Sequence, residues 1–173
     1  MEAERTELQE VTIHTDGACI GNPGPGGYGV VLEFGQHRKT LSGGYRLTTS
    51  NRMEMMALIV GLKALKRRCK VTIYSDSEIL VDGIMKRTAY RARANGWKVG
   101  KKVKANGDLW CEILDLCDRH VVELAWLPGH SGHLSNELAD QLAKAAARRG
   151  DLLIDEAFEE GTTTKRSPEL AFG

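Results

Sequence analysis

No apolar run in the 173 residues approaches the ~20 needed to cross a bilayer, which excludes a helical membrane span. The opening residues, Met1-Glu2-Ala3-Glu4, are acidic and lack an apolar segment, so neither a secretory signal nor an Arg-rich transit peptide is expected. Cysteine is scarce and unpatterned. Cys19, Cys69, Cys111 and Cys117 form no CxxC and no Cys/His zinc spacing. Reduced thiols in a cytoplasmic setting are therefore expected. A hydrophobic content of 42% with 27% charged residues excludes a mainly disordered chain and suits one soluble domain with a real core.

A formal net charge of +1 hides a strong asymmetry. Residues 1–10 hold four acids against one base, and residues 151–173 hold six acids against two bases. Between them, residues 83–107 hold eight bases and no acid: Lys86, Arg87, Arg91, Arg93, Lys98, Lys101, Lys102 and Lys104. Such a stripe is either a solvated face or the footprint of a polyanion ligand.

Val11–Asp16 alternates as a strand does, with Val11, Ile13 and Thr15 facing one way and Thr12, His14 and Asp16 the other. A Gly/Pro region follows from Gly21 to Gly27, and Tyr28–Phe34 and Arg38–Arg46 read as two further strands in a hairpin. Thr49-Ser50-Asn51 offers capping chemistry for a helix that runs to about Arg67. Further elements are a strand Val71–Asp76, helices Ser77–Met85 and Asp108–Arg119, a strand Val121–Trp126 and a helix Leu134–Arg149. This order predicts an α/β fold. A five-stranded mixed sheet, made of an antiparallel three-strand meander plus parallel strands, is flanked by helices. Residues 1–10 read as an acidic lead and 11–150 as the domain. Residues 151–173 read as a flexible acidic tail, dispensable after Leu153, because they lack apolar periodicity.

Two strands, Val11-Thr-Ile-His-Thr-Asp16 and Val71-Thr-Ile-Tyr-Ser-Asp76, share a pattern and end in Asp. Laid side by side and parallel, ~4.8 Å apart, they would bring both carboxylates to one sheet edge. Carboxyl ends of strands are where α/β sheets place ligands. Each Asp could equally be a turn residue. Glu54 falls on the helix stripe of Leu58, Gly61 and Leu65, which faces the core. It is either the capping-box partner of Asn51 or a metal ligand at a helix start. Asp140 lies on the flank of the apolar arc of the last helix, beside Asn136. Hard oxygen ligands without cysteine suit magnesium or manganese. His130 stands in the Gly-flanked loop Pro128–His133, and histidine is the residue type suited to moving protons near neutrality. Gly24-Pro-Gly26-Gly-Tyr-Gly29 matches G-x-G-x-x-G, but a strand rather than a helix follows it, so it is no dinucleotide fingerprint.

Several stretches, in order, resemble type 1 ribonuclease H: Thr15–Gly29, Thr48-Thr-Ser-Asn-Arg-Met-Glu54, Tyr74-Ser-Asp-Ser77, Gly96-Trp-Lys98, Asp108-Leu-Trp110, and Gly129-His-Ser-Gly-His133 with Asn136-Glu137 and Asp140. No single stretch is specific, but together they are. The resemblance implies the ribonuclease H fold and endonucleolytic cleavage of the RNA strand of RNA–DNA hybrids, with 5′-phosphate and 3′-hydroxyl ends. It also implies Asp16, Glu54, Asp76 and Asp140 as ligands of two Mg²⁺ (or Mn²⁺) ions, and His130 as an aid to turnover. Asn22, Thr49, Asn51 and Asn106 match hybrid-contacting positions. The segment from about 86 to 107, with Trp97, Lys101, Lys102 and Lys104, looks like the family's basic handle. The handle here offers Arg87, Tyr90, Arg91 and Arg93 where bacterial relatives often carry tryptophans. A monomer without a protein partner is expected. A non-catalytic nucleic-acid-binding module of the same fold is the alternative, which a degenerate acid set would mark.

Overall fold

The computed structural model describes residues 7–99 and 101–166. Strand β1 (Gln9–Cys19) leads into β2 (Gly24–Phe34) and β3 (His37–Thr48), each pairing antiparallel with the one before. Helix α1 (Ser50–Lys63) and strand β4 (Cys69–Ser75) follow, then α2 (Glu78–Met85) and α3 (Thr88–Ala94). A small hairpin pairs β5 (Lys98–Val99) with β6 (Lys102–Val103). Helix α4 (Gly107–Asp118), strand β7 (Val121–Trp126), α5 (Leu134–Ala147) and α6 (Glu156–Arg166) complete the order. The sheet runs β3-β2-β1-β4-β7, with β1–β4 and β4–β7 parallel. This is the mixed sheet expected from the residue pattern. Among the described residues, no helix is long and apolar enough to cross a membrane.

The core follows the alternation of β1 and β4. Ile13 and Ile73 are opposite each other in register and fully buried, with Leu58 and Leu62 of α1 and Ile113 and Leu114 of α4. Burial of each such side chain contributes roughly 1.5–3 kcal/mol. Thr49 caps α1, its Oγ1 accepting from the Arg52 N–H at 3.2 Å. Asn51 does not cap the helix, so the capping-box account of Glu54 is corrected.

Helix α5 packs on the other face through small residues. A Cβ on Gly29 would lie 2.1 Å from the Ala139 carbonyl oxygen, and Gly29 is the register partner of Asp16. The G-x-G-x-x-G stretch therefore lies in strand β2 and admits α5 to the sheet. A Cβ on Gly17 would lie 2.4 Å from the Glu54 nitrogen, so α1 rests equally close to β1. Both close approaches draw acid-bearing helices toward the strand that carries Asp16.

The structure adds an element that was not expected and corrects one expectation. The basic segment contains helix α3, whose buried residues are Ala89 and Ala92. Alanines carry little hydrophobic signal, which is why no element is assigned to this segment from its residues. Residues 151–160 are not a flexible tail. Leu153 N–H donates to the Gly44 carbonyl at 3.0 Å, and its own carbonyl accepts from Arg46 N–H at 2.9 Å. Arg46 also pairs with Glu159 at 3.1 Å, and Asp155 is buried. Residues 167–173, and most of the acidic lead, lie outside the described residues.

Candidate active site

Parallel pairing of β1 with β4, from Val11 opposite Val71 to His14 opposite Tyr74, carries Asp16 and Asp76 to the same end of the sheet. Glu54 reaches them from the first half of α1. One oxygen from each of Asp16, Glu54 and Asp76 lies within 4.8 Å of the others. Three carboxylates that close repel unless a proton or a cation sits among them. Burial, and then the Asp76 charge, push Asp16 up to about 7. Burial and the Asp16 charge push Glu54 well above the usual carboxylate range. Glu54 Oε2 is buried and has no hydrogen-bond partner among the described residues. A buried oxygen in that state asks for a cation, and an all-carboxylate donor set fits a hard divalent one.

Asp140 stands apart from this trio. It lines the same cavity as Asp16, Asp76 and His130, but its carboxylate pairs with Lys144 one turn along α5 at 2.9 Å. An i,i+4 ion pair of this kind is weak and exchangeable. His130 is exposed, with a left-handed backbone at φ 58°. Its loop is tied at both ends. Leu127 N–H donates to the Ser75 carbonyl at 2.9 Å, and the His133 ring stacks on His14 at 4.8 Å. Between these anchors, His130 lines the cavity of Asp16, Asp76 and Asp140.

His14 was not legible as part of this arrangement. It is buried, its ring stacked beside those of Tyr74 and His133, and its Nδ1–H donates to Asn136 Oδ1, one turn before Asp140. The alternation of β1 places it on the face of Asp16, but a lone strand histidine carries no other signal.

None of the remaining expected contacts lines the cavity of the acids. Asn22 Oδ1 accepts from the Ser50 N–H at 3.0 Å. Asn51, Lys104 and Asn106 line one groove with Trp110. Thr49 caps α1 as described above. Trp97, at φ 66°, packs half-buried against the core. Lys101 and Lys102 are exposed in the turn and second strand of the β5–β6 hairpin, and Lys104 lies over the Trp110 ring at 5.0 Å. Not all eight bases are open to a ligand. Lys86 pairs with Asp82 at 3.2 Å, Arg93 with Asp118 at 3.2 Å, and Arg87 stacks on Tyr90 at 4.1 Å.

Arg52 is a second residue that sequence reasoning missed. It is buried and joins Asp108 and Asp155. Burial opposes its charge, but its hydrogen bonds to Asp108 and Asp155 outweigh that and raise its pKa. The same contact holds the Asp108 carboxyl below its usual range.

Residues 8–148 match the family model described as RNase H. A ribonuclease H of Syntrophus aciditrophicus is 55% identical over 157 residues, covering 90% of this chain and 91% of that protein. A ribonuclease HI of Pasteurella multocida is 49% identical, covering 83% of this chain and 94% of its own. Among solved structures, LC9-RNase H1, a type 1 RNase H with the type 2 active-site motif, superposes with a TM-score of 0.74. It is 31% identical, and the match covers 90% of this chain and 81% of that one. LC11-RNase H1, solved in complex with RNA/DNA hybrid, gives a TM-score of 0.59 at 26% identity, covering 86% of this chain and 99% of its own. By sequence and by fold, this chain belongs to the ribonuclease H family.

Proposed function

We propose that the chain is an endonuclease that hydrolyses the RNA strand of RNA–DNA hybrids, leaving 5′-phosphate and 3′-hydroxyl ends. Asp16, Glu54, Asp76 and Asp140 would hold two divalent cations, Mg²⁺ or Mn²⁺. The observation that carries this reading is the cluster of three carboxylates whose oxygens lie within 4.8 Å, one of them with a buried, unpartnered Glu54 oxygen. When bound, such cations polarise the scissile phosphate and make water nucleophilic near neutral pH.

The protein's own residues do the rest. Gly17 and Gly29 let α1 and α5 approach β1, which brings the acid-bearing helices close before substrate arrives. Asp140 is released from Lys144 as it turns toward the other acids. His130, on its tethered loop, moves a proton at the cleaved end or helps product leave. The bases of the 86–107 segment grip phosphates, which carry no base identity, so sequence preference is weak. Selection of hybrid comes from groove shape and from 2′-hydroxyl contacts. The hybrid complex of LC11-RNase H1 supports this substrate. The test is direct: labelled RNA–DNA hybrid, duplex RNA and duplex DNA are each incubated with the protein and Mg²⁺. Cleavage of the hybrid's RNA strand alone is expected. Equal cleavage of all three, or of none, rejects the reading.

Two expected results follow from named residues. Replacing Lys101, Lys102 and Lys104 with Ala should weaken hybrid binding and flatten the log–log salt slope by roughly 0.9 unit per lost phosphate contact. A slope unchanged between about 50 and 200 mM salt would show that these lysines only solvate the hairpin. His130→Ala should slow turnover by roughly a hundred-fold, near the low end for a positioned proton-transfer group. Single-turnover and steady-state rates separate chemistry from product departure. No effect, or a loss equal to that of an acid variant, would contradict this role.

A further inference from the structure

Arginine carries five N–H donors and no acceptor. At Arg52 all five are matched. Nε and Nη2 donate to Asp155 Oδ2 and Oδ1 at 2.7 and 2.9 Å. Nη2 and Nη1 donate to Asp108 Oδ2 and Oδ1 at 2.8 and 3.0 Å. The fifth bond runs from Nη1 to Asn106 Oδ1 at 3.3 Å. No donor is left for a phosphate, so a buried arginine two residues from Glu54 is not itself a substrate contact. One guanidinium against two carboxylates also leaves the clamp at a formal −1, which repels an anion.

Asn106 is the part of the clamp that faces an anion favourably. Arg52 can only donate, so Asn106 must turn its oxygen inward. Its two Nδ2–H donors are then left for the groove that it shares with Asn51 and Lys104. Asn106 holds this position on a left-handed backbone, φ 58°, that few non-glycine residues adopt. Asp155 reaches the clamp from the segment that Leu153 pairs to β3, and Thr48 Oγ1–H donates to it at 2.7 Å.

We propose that Arg52, clamped by Asp155 and Asp108, is a positioning residue that sets the Asn106 amide as a neutral donor to a hybrid phosphate, so that hybrid affinity depends on the C-terminal segment through Asp155. This rests on the hybrid-binding reading above. The carboxylate cluster is not part of the clamp, so the effect falls on binding rather than on the chemical step.

The experiment uses the full chain with Asp155→Asn, Asn106→Ala and the double variant, assayed on RNA–DNA hybrid below their melting temperatures. Each single variant should raise KM about five-fold, the loss of one ordinary hydrogen bond, with kcat within about two-fold. The double variant should be no worse than Asn106→Ala, because both act through one amide. The salt slope should stay at the wild-type value. If Asp155→Asn fails to fold, Thr48→Val loosens Asp155 more gently and should raise KM in the same direction. A folded Asp155→Asn with unchanged KM, effects that add in the double variant, or tighter hybrid binding from a released Arg52 each overturn the proposal while wild-type cleavage leaves the function standing. Absence of hybrid cleavage by the wild-type protein overturns both.

Discussion

Asp76→Asn is expected to reduce hybrid cleavage by on the order of a thousand-fold or more while hybrid binding in Mg²⁺ persists. The amide keeps the size and one oxygen of the side chain but removes a charge from a cluster whose oxygens lie within 4.8 Å. The fold should survive, because the substitution relieves repulsion in the metal-free state. Melting temperature in EDTA is therefore expected to stay level or rise. The pH dependence carries the same sign. Burial and the Asp76 charge push Asp16 up to about 7, so the folded state binds more protons than the unfolded one. That contribution to stability is present in acid and is lost as pH rises from the ordinary carboxylate range toward about 7. In EDTA, the wild-type melting temperature should fall across that window, and that of Asp76→Asn should fall less. Near-normal cleavage by the folded variant would remove Asp76 from the ligand set. A lower melting temperature in EDTA would instead make it a structural cap.

Truncation after Leu153 is expected to destabilise the protein by roughly 3–5 kcal/mol, the cost of removing one partner from a buried ion pair. Arg52 keeps Asp108 but loses both hydrogen bonds to Asp155, in a pair whose side chains are only 5% and 10% exposed. The Thr48 hydroxyl loses its acceptor in the same cut. For a chain of this size the melting temperature should drop by about 6–20 °C. Calorimetry decides it. A shift under ~2 °C would mean that the clamp adds nothing net, and that the dispensable tail read from composition was right in energy if not in structure. Cleavage should continue below the lowered melting temperature, because none of the proposed metal ligands is removed.

Proximity in space, rather than residue type, separates what was legible in the chain from what was not. The β1 and β4 patterns specified both strands. Period-2 alternation placed Asp16 and Asp76 each at a strand end, but that they share a sheet edge followed only if the strands pair in parallel, which the fold shows. Glu54 was legible as an inward acid, because helical periodicity places it among Leu58, Gly61 and Leu65. Its choice between cap and cluster was not legible, since Thr49 and Asn51 are both good caps and only packing selects Thr49. Helix α3 escaped because alanines bury a helix face without a strong apolar signal. The Arg52 clamp escaped because its acids lie 56 and 103 residues away in the chain, and no local pattern joins groups at that separation. The C-terminal segment escaped because it docks by backbone hydrogen bonds and one buried ion pair. The sequence by itself determined the five strands of the main sheet, helices α1, α2, α4 and α5, and the acids they carry. Tertiary packing decided which acids meet, which pair with Lys144 or Arg52 instead, and that residues 151–160 belong to the folded body, because charge pairing across the fold depends on distances that only the folded chain defines.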